Sequence, residues 1–222
     1  MKRKSVQGSH KRKLMKRTPV VWAALLGAMT TVGGALFALD GKSATRIDGL
    51  ALPTLISASG FSSIDTIFRT RATLDTKRWR SIVIHHSGSM RGTPASLEAQ
   101  AKSTGLKGLG THFVIGNGQG MDDGEIHVGY RWLDQAPGAH SAGKDADWYN
   151  LHSIGICLVG NGDRREFTPA QIDRLGQLVR ALCREFDILE ERVVLHSQVA
   201  PMSDPGLLFP AASFREQLPR KR

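Results

Sequence analysis

Cysteine is scarce in this chain: Cys157 and Cys183 are the two in 222 residues. Two thiols cannot build the multi-bridge framework of a small secreted scaffold, so the fold must rest on an apolar core. No internal repeat appears. Acid is missing from the amino end, where residues 2 to 17 carry eight Lys/Arg and no Asp or Glu. Arg220-Lys221-Arg222 closes the chain in the same way. Setting those eleven aside from the 30 Lys/Arg leaves 19 basic against 20 acidic residues. The net charge of +10 therefore belongs to the tails, and the near-neutral body lacks the basic face that nucleic acid needs.

Charge of either sign is absent from Pro19 to Leu39, 21 residues in all. At about 1.5 Å per residue such a helix just spans a hydrocarbon core. With a basic arm ahead of it (residues 1–18), the run reads as an uncleaved signal anchor that leaves the rest of the chain outside the cytoplasm. A cleaved signal peptide, which would release the domain as a secreted one, is the alternative. Its apolar core would normally be shorter, and no clean Ala-x-Ala site lies near Ala35 to Leu39. Residues 40–76, rich in Ser, Thr, Ala and Gly, read as a tether. Residues 77–222 then form one domain.

Within that domain Ser81 to His85 and Ser153 to Val159 are apolar runs of strand length, as buried central strands are. His112 to Ile115 and Glu125 to Tyr130 read as a hairpin, with Gly116-Asn117-Gly118 and Asp123-Gly124 as turn material. Thr93-Pro94 and Thr168-Pro169 are helix starts. In the second helix Ile172, Leu175, Leu178, Val179 and Leu182 recur at the spacing of one buried face. The expected fold is α/β, a mixed central β-sheet with helices packed on one face and a cleft on the other.

The chemistry gathers at two strand ends. Val193-Val194-Leu195 delivers His196, and a loop through Pro201 presents Asp204 eight residues later. An imidazole and a carboxylate so placed suit a metal, and Ile82-Val83-Ile84-His85 supplies a third donor. Two histidines and one carboxylate leave a tetrahedral Zn²⁺ one open position for water, which is the catalytic pattern. Taken alone, a histidine and an aspartate at this spacing are more often a chance pair.

The order of motifs adds to this: Ile82-Val83-Ile84-His85-His86-Ser87, His112-Phe113-Val114-Ile115-Gly116-Asn117, Gly138-Ala139-His140, Ser153-Ile154-Gly155-Ile156 and His196…Asp204-Pro205-Gly206. Over about residues 78 to 218 the chain resembles the zinc-dependent N-acetylmuramoyl-L-alanine amidases, a family shared with peptidoglycan recognition proteins and phage amidase-type lysozymes. The resemblance implies zinc held by His85, His196 and Asp204. It implies hydrolysis of the amide joining muramic acid to L-alanine in peptidoglycan.

The chain departs from the family at three places. Thr111 stands where a tyrosine is common, Cys157 where some members have glutamate, and Met202 where many have a basic residue. Thr111, His112 and Cys157 are then the expected catalytic positions around the metal, with His86 in reserve. Strand alternation puts Cys157 in the cleft, as a further donor or as a small apolar filler, and Cys183 on the opposite side of the sheet. Asn117, Trp132, His140 and Asn150 are the expected substrate contacts, His140 as a cleft wall and Trp132, like Trp148, as a ring to stack on sugar unless it is buried. His127 is expected to face solvent. The competing function is a binding module that holds muramyl peptide uncut.

Overall fold

The computed structural model describes residues 64–218. The basic arm, the apolar run 19–39 and the tether up to residue 63 lie outside the described residues. Among the described residues, no helix is long and apolar enough to cross a membrane.

Five strands make one sheet: β1 (Ser81–His86), β2 (Phe113–Ile115), β3 (Ile126–Val128), β4 (Ser153–Leu158) and β5 (Val193–Leu195), in the order β3-β2-β4-β1-β5. β2 and β3 are the antiparallel hairpin, and the other neighbours are parallel. The helices are α1 (Pro94–Ser103), α2 (Tyr130–Leu133), α3 (Ala146–His152), α4 (Pro169–Phe186) and α5 (Ala211–Glu216). Both expected helix starts close as capping boxes, Thr93 with Ser96 and Thr168 with Gln171. Each cap satisfies amide donors that the first turn leaves open. α4 stops at Asp187, whose φ of 52° leaves the helical region.

On one face of the sheet Ile82, Ile84, Ile154, Ile156 and Leu158 meet Leu175, Leu178 and Leu182 of α4, all fully buried. Each such side chain contributes about 1.5–3 kcal/mol by leaving water. The other face carries Val114, Cys157 and Val159, and here the expected division of faces is incomplete. Leu97 of α1, with Leu109 and Met121, covers one end of it in a second cluster. Only the remainder is open, and that remainder is the cleft.

Within the stretch expected as tether, the described residues from Ile64 on pack against the domain. A 3-10 turn at Ile64–Phe68 buries Ile67 in the core. Trp132 Nε1 donates to the Ile67 carbonyl at 2.6 Å, and the amides of Arg71 and Ala72 donate to Leu133 O at 2.8 and 3.0 Å. Composition gave no hint of this, since the segment's few apolar residues have no period. His127 is half-buried on β3 rather than solvent-facing.

Candidate metal centre and cleft

His85 leaves the end of β1, and His196 follows β5 directly in a 3-10 turn, His196–Gln198. β1 and β5 are parallel neighbours, so both imidazoles emerge at the carboxyl ends of adjacent strands. Their ring centroids are 6.1 Å apart. Asp204 reaches the pair from the loop, with Oδ2 3.0 Å from His196 Nδ1. That hydrogen bond occupies Nδ1 and leaves Nε2 as the free nitrogen of the His196 ring. The Nε2 atoms of both His85 and His196 are buried without a hydrogen-bond partner, an arrangement a fold tolerates where a ligand belongs. Burial holds His85 down at about 4, against the pull of Asp204 in the other direction. It is thus a neutral imidazole at neutral pH, as a metal ligand must be.

The donor types suit a divalent cation, but their arrangement does not form a metal cage. Among the described residues, no three His, Cys, Asp or Glu side chains stand close enough to hold a metal ion. The expected mutual closure of three ligand atoms is therefore corrected: His196 and Asp204 close on each other, and His85 stands by. The His86 ring flanks the Asp204 carboxylate, with Nδ1 4.0 Å from Oδ1. His86 also works on the loop, with its amide donating to Asp204 Oδ1 at 2.6 Å and its Nδ1 2.9 Å from Pro205 O.

A residue that sequence reasoning missed fastens this loop. Asp163 Oδ2 accepts from Ser203 Oγ at 2.6 Å, and its Oδ1 accepts from the Leu207 amide at 3.1 Å. The two donors flank Asp204, and their bonds hold the Asp163 carboxyl below its usual range. Gly206, with φ of 103°, lies against the backbone of Gly162 and Asp163, where a side chain would collide. For a zinc held by His196 and Asp204, Asp163→Ala should loosen the carboxylate and weaken zinc affinity by about 10–100-fold. Asp163→Asn, which keeps an acceptor, should restore most of it. Competition titration with a chromophoric chelator reads both, and equal affinity in all three proteins would show that the loop holds its shape without Asp163.

The cleft beside the donors has a volume of about 230 Å³, with His85, Thr111, Val114, His140 and Cys157 among its walls. His140 stacks on His85, rings 6.1 Å apart and 16° from parallel. It is buried in the wall of the cleft and is not a solvated loop residue. Asn150 holds it there: Oδ1 accepts from the amides of His140 and Ser141, both at 2.9 Å. Asn150 is thus a positioning residue rather than a substrate contact. Gly155 is required beneath His140, because a Cβ there would run into the imidazole.

Two expected catalytic groups line the cleft without offering chemistry. Thr111 Oγ1 donates its one proton to Gly155 O at 2.7 Å. The Cys157 thiol is pushed far up by burial, so it stays protonated and serves as the apolar filler. Cys183 lies in the core cluster on the other face, and both cysteines are free.

Three further expectations are corrected, two by burial and one by hydrogen bonding. Trp132 is 0% exposed, packed with Trp79 and Phe113 in the core, and cannot meet a sugar. Asn117 serves its own turn, donating to Met90 O at 3.0 Å and accepting from the Gln119 amide at 3.0 Å, away from the cleft. His112 is also wholly buried, with Nδ1 accepting from the Gly155 amide at 2.9 Å and Nε2 3.1 Å from Ala136 O. Neither nitrogen is left for acid–base work.

Burial pushes His112 down to about 3, with the Ala136 hydrogen bond opposing. Its unfolded counterpart takes a proton near pH 6.5. Between those values the unfolded chain binds more protons, so stability should fall as pH drops below about 6.5. His112 alone would contribute about 1.4 kcal/mol per pH unit. Urea midpoints at pH 7 and pH 5 measure this, and equal midpoints would contradict a neutral buried imidazole.

The family model described as N-acetylmuramoyl-L-alanine amidase matches residues 75–207, more than half of the chain. The endolysin of Escherichia phage T7 is 34% identical over 97 residues, 38% of this chain and 63% of its own length. The N-acetylmuramoyl-L-alanine amidase AmiD of Escherichia coli (strain K12) is 36% identical over 87 residues, 35% of this chain and 32% of its own. The chain thus spans under two thirds of the length of these relatives. Among solved structures, the endolysine N-acetylmuramoyl-L-alanine amidase LysCS from Clostridium intestinale URNW is similar at a TM-score of 0.56 and 28% identity. That match covers 68% of this chain and 91% of the other.

Proposed function

Because the chain belongs to the N-acetylmuramoyl-L-alanine amidase family, we propose that its cleft takes peptidoglycan and that His85, His196 and Asp204 hold a zinc ion there. The reaction is hydrolysis of the amide between the lactyl group of N-acetylmuramic acid and L-alanine. Water adds across the C–N bond, the lactyl carboxyl stays on the sugar, and the amine leaves with the peptide. When bound, zinc acidifies water and polarises a carbonyl. The chain's own part is to orient and to exclude solvent. His140 stacks behind His85, and Thr111, Val114 and Cys157 make a wall that offers the peptide few competing polar contacts. The apolar run 19–39 would hold the domain outside the cytoplasm.

One observation carries the reading: the buried His196–Asp204 pair at 3.0 Å, with His85 on the adjacent parallel strand. A second reading, muramyl peptide held uncut, draws on the Thr111 hydroxyl and the Cys157 thiol, neither of which presents a usable proton to the cleft. Release of intact stem peptides from purified peptidoglycan by the full chain, with and without a zinc chelator, separates the two. Release that stops on chelation and returns with Zn²⁺ is the expected result. Binding of peptidoglycan without any release would replace the enzyme by the binder.

A further inference from the structure

The end of the sheet away from the cleft also collects chemistry. His152 immediately precedes β4, Arg80 precedes β1 and Arg192 precedes β5. Those strands are adjacent in the order β4-β1-β5. Ser81 pairs with Ser153 and Ile82 with Val193, so Arg80 stands level with His152 and within one residue of Arg192. With strands about 4.8 Å apart, the three form a row across the amino-terminal ends of these strands. They line a cavity of about 640 Å³, together with Lys77, Trp148 and one carboxylate, Asp187. Trp148 is 38% exposed, a large ring left partly in water, and it lies 5.5 Å from the His152 ring. β1 separates this cavity from the metal donors by roughly 20 Å, six residues at about 3.3 Å each.

We propose that this cavity is a second ligand site, for a sugar ring that bears a carboxylate. An exposed indole is the usual platform for an apolar ring face, and guanidinium groups pair with carboxylates through two parallel hydrogen bonds. Arg80, Arg192 and Lys77 supply the charge, and Trp148 supplies the face. The inference rests on the proposed reaction for the identity of the sugar. Hydrolysis leaves a free lactyl carboxylate on each muramic acid it acts on, whereas the uncut substrate has an amide there. The second site therefore prefers the product glycan, and it would keep the domain on a strand already partly stripped while the cleft, at the opposite end, meets the next peptide.

Titration calorimetry of the full chain in detergent micelles tests this with three probes. N-acetylmuramic acid carries the ring and the carboxylate, N-acetylglucosamine has the ring alone, and inorganic phosphate has charge alone. N-acetylmuramic acid should bind about tenfold or more tightly than either, as a charge-assisted pair added to stacking implies. Trp148→Ala should weaken it, Trp148→Phe should restore it, and the Arg80→Gln/Arg192→Gln double variant should remove its advantage over N-acetylglucosamine. Asp204→Ala should leave the binding unchanged. Equal affinity for the two sugars, displacement by an equal concentration of phosphate, or loss of binding in Asp204→Ala but not in the Trp148 or arginine variants would each overturn the proposal. Absence of any binding would do so too. Peptide release is measured separately, so a chain that binds N-acetylmuramic acid here but cuts nothing would fail the proposed function and keep this site.

Discussion

Asp204→Ala is expected to strip the chain of zinc and of peptide release while leaving its circular dichroism nearly unchanged. The two halves have different causes. Asp204 sits on a loop, and its carboxylate hydrogen-bonds with His196 Nδ1 at 3.0 Å and the His86 amide at 2.6 Å. The core lies elsewhere, in β1, β4 and α4, where Ile82, Ile156 and Leu178 are wholly buried. Losing a carboxylate ligand leaves two imidazoles, which hold zinc far less well than three donors. Metal analysis of the purified variant distinguishes three outcomes. Zinc absent after dialysis means Asp204 is a ligand. Zinc retained at about 10–100-fold weaker affinity would mean that Asp204 only orients His196 through Nδ1, the outer-shell role. Full occupancy would point to another donor.

Met202→Lys is expected to raise turnover on a muramyl peptide by about a hundredfold, with little change in KM. Members of the family often carry a basic residue two before the third ligand, and that residue can stabilise the oxyanion as water attacks. A donor so placed is worth on the order of 3 kcal/mol. The thioether of Met202 can accept weakly but cannot donate. Met202 is 44% exposed, on the loop that carries Asp204, so a lysine fits there without repacking the core. A gain in kcat alone is the mark of stabilisation confined to the transition state. Unchanged turnover, or a wild type already as fast as the variant, would mean that another group supplies the donor.

What could be read from residues alone follows from chemistry local in the chain. The parallel strands were legible because buried strands are continuous apolar runs, as Ile82-Val83-Ile84 and Ile154-Gly155-Ile156 are. The two main helices were legible from Thr93-Pro94 and Thr168-Pro169, whose caps act within one turn. Period-two alternation put His85 and Cys157 on the cleft face and Cys183 beyond the sheet. His85, His196 and Asp204 stood out as candidate donors because each ends an apolar strand or lies on a Pro-bounded loop.

Tertiary structure decided the rest, because it depends on which distant groups share a hydrogen bond or a cavity. His112 and His140 look alike as loop-edge histidines, yet one has both nitrogens bound to backbone in the core and the other stacks on His85 in the cleft wall. Trp132 and Trp148 are the same residue type, and only packing buries the first while leaving the second 38% exposed beside the start of β4. Asp163 lies 41 positions before Asp204 with no motif to join them, and only folding brings its carboxylate to Ser203 and Leu207. The row of His152, Arg80 and Arg192 exists only through the strand order β4-β1-β5. Sequence states which side chains are available at the strand ends. Register and strand order determine which of them become neighbours, since those are properties of pairing between segments and not of any one segment.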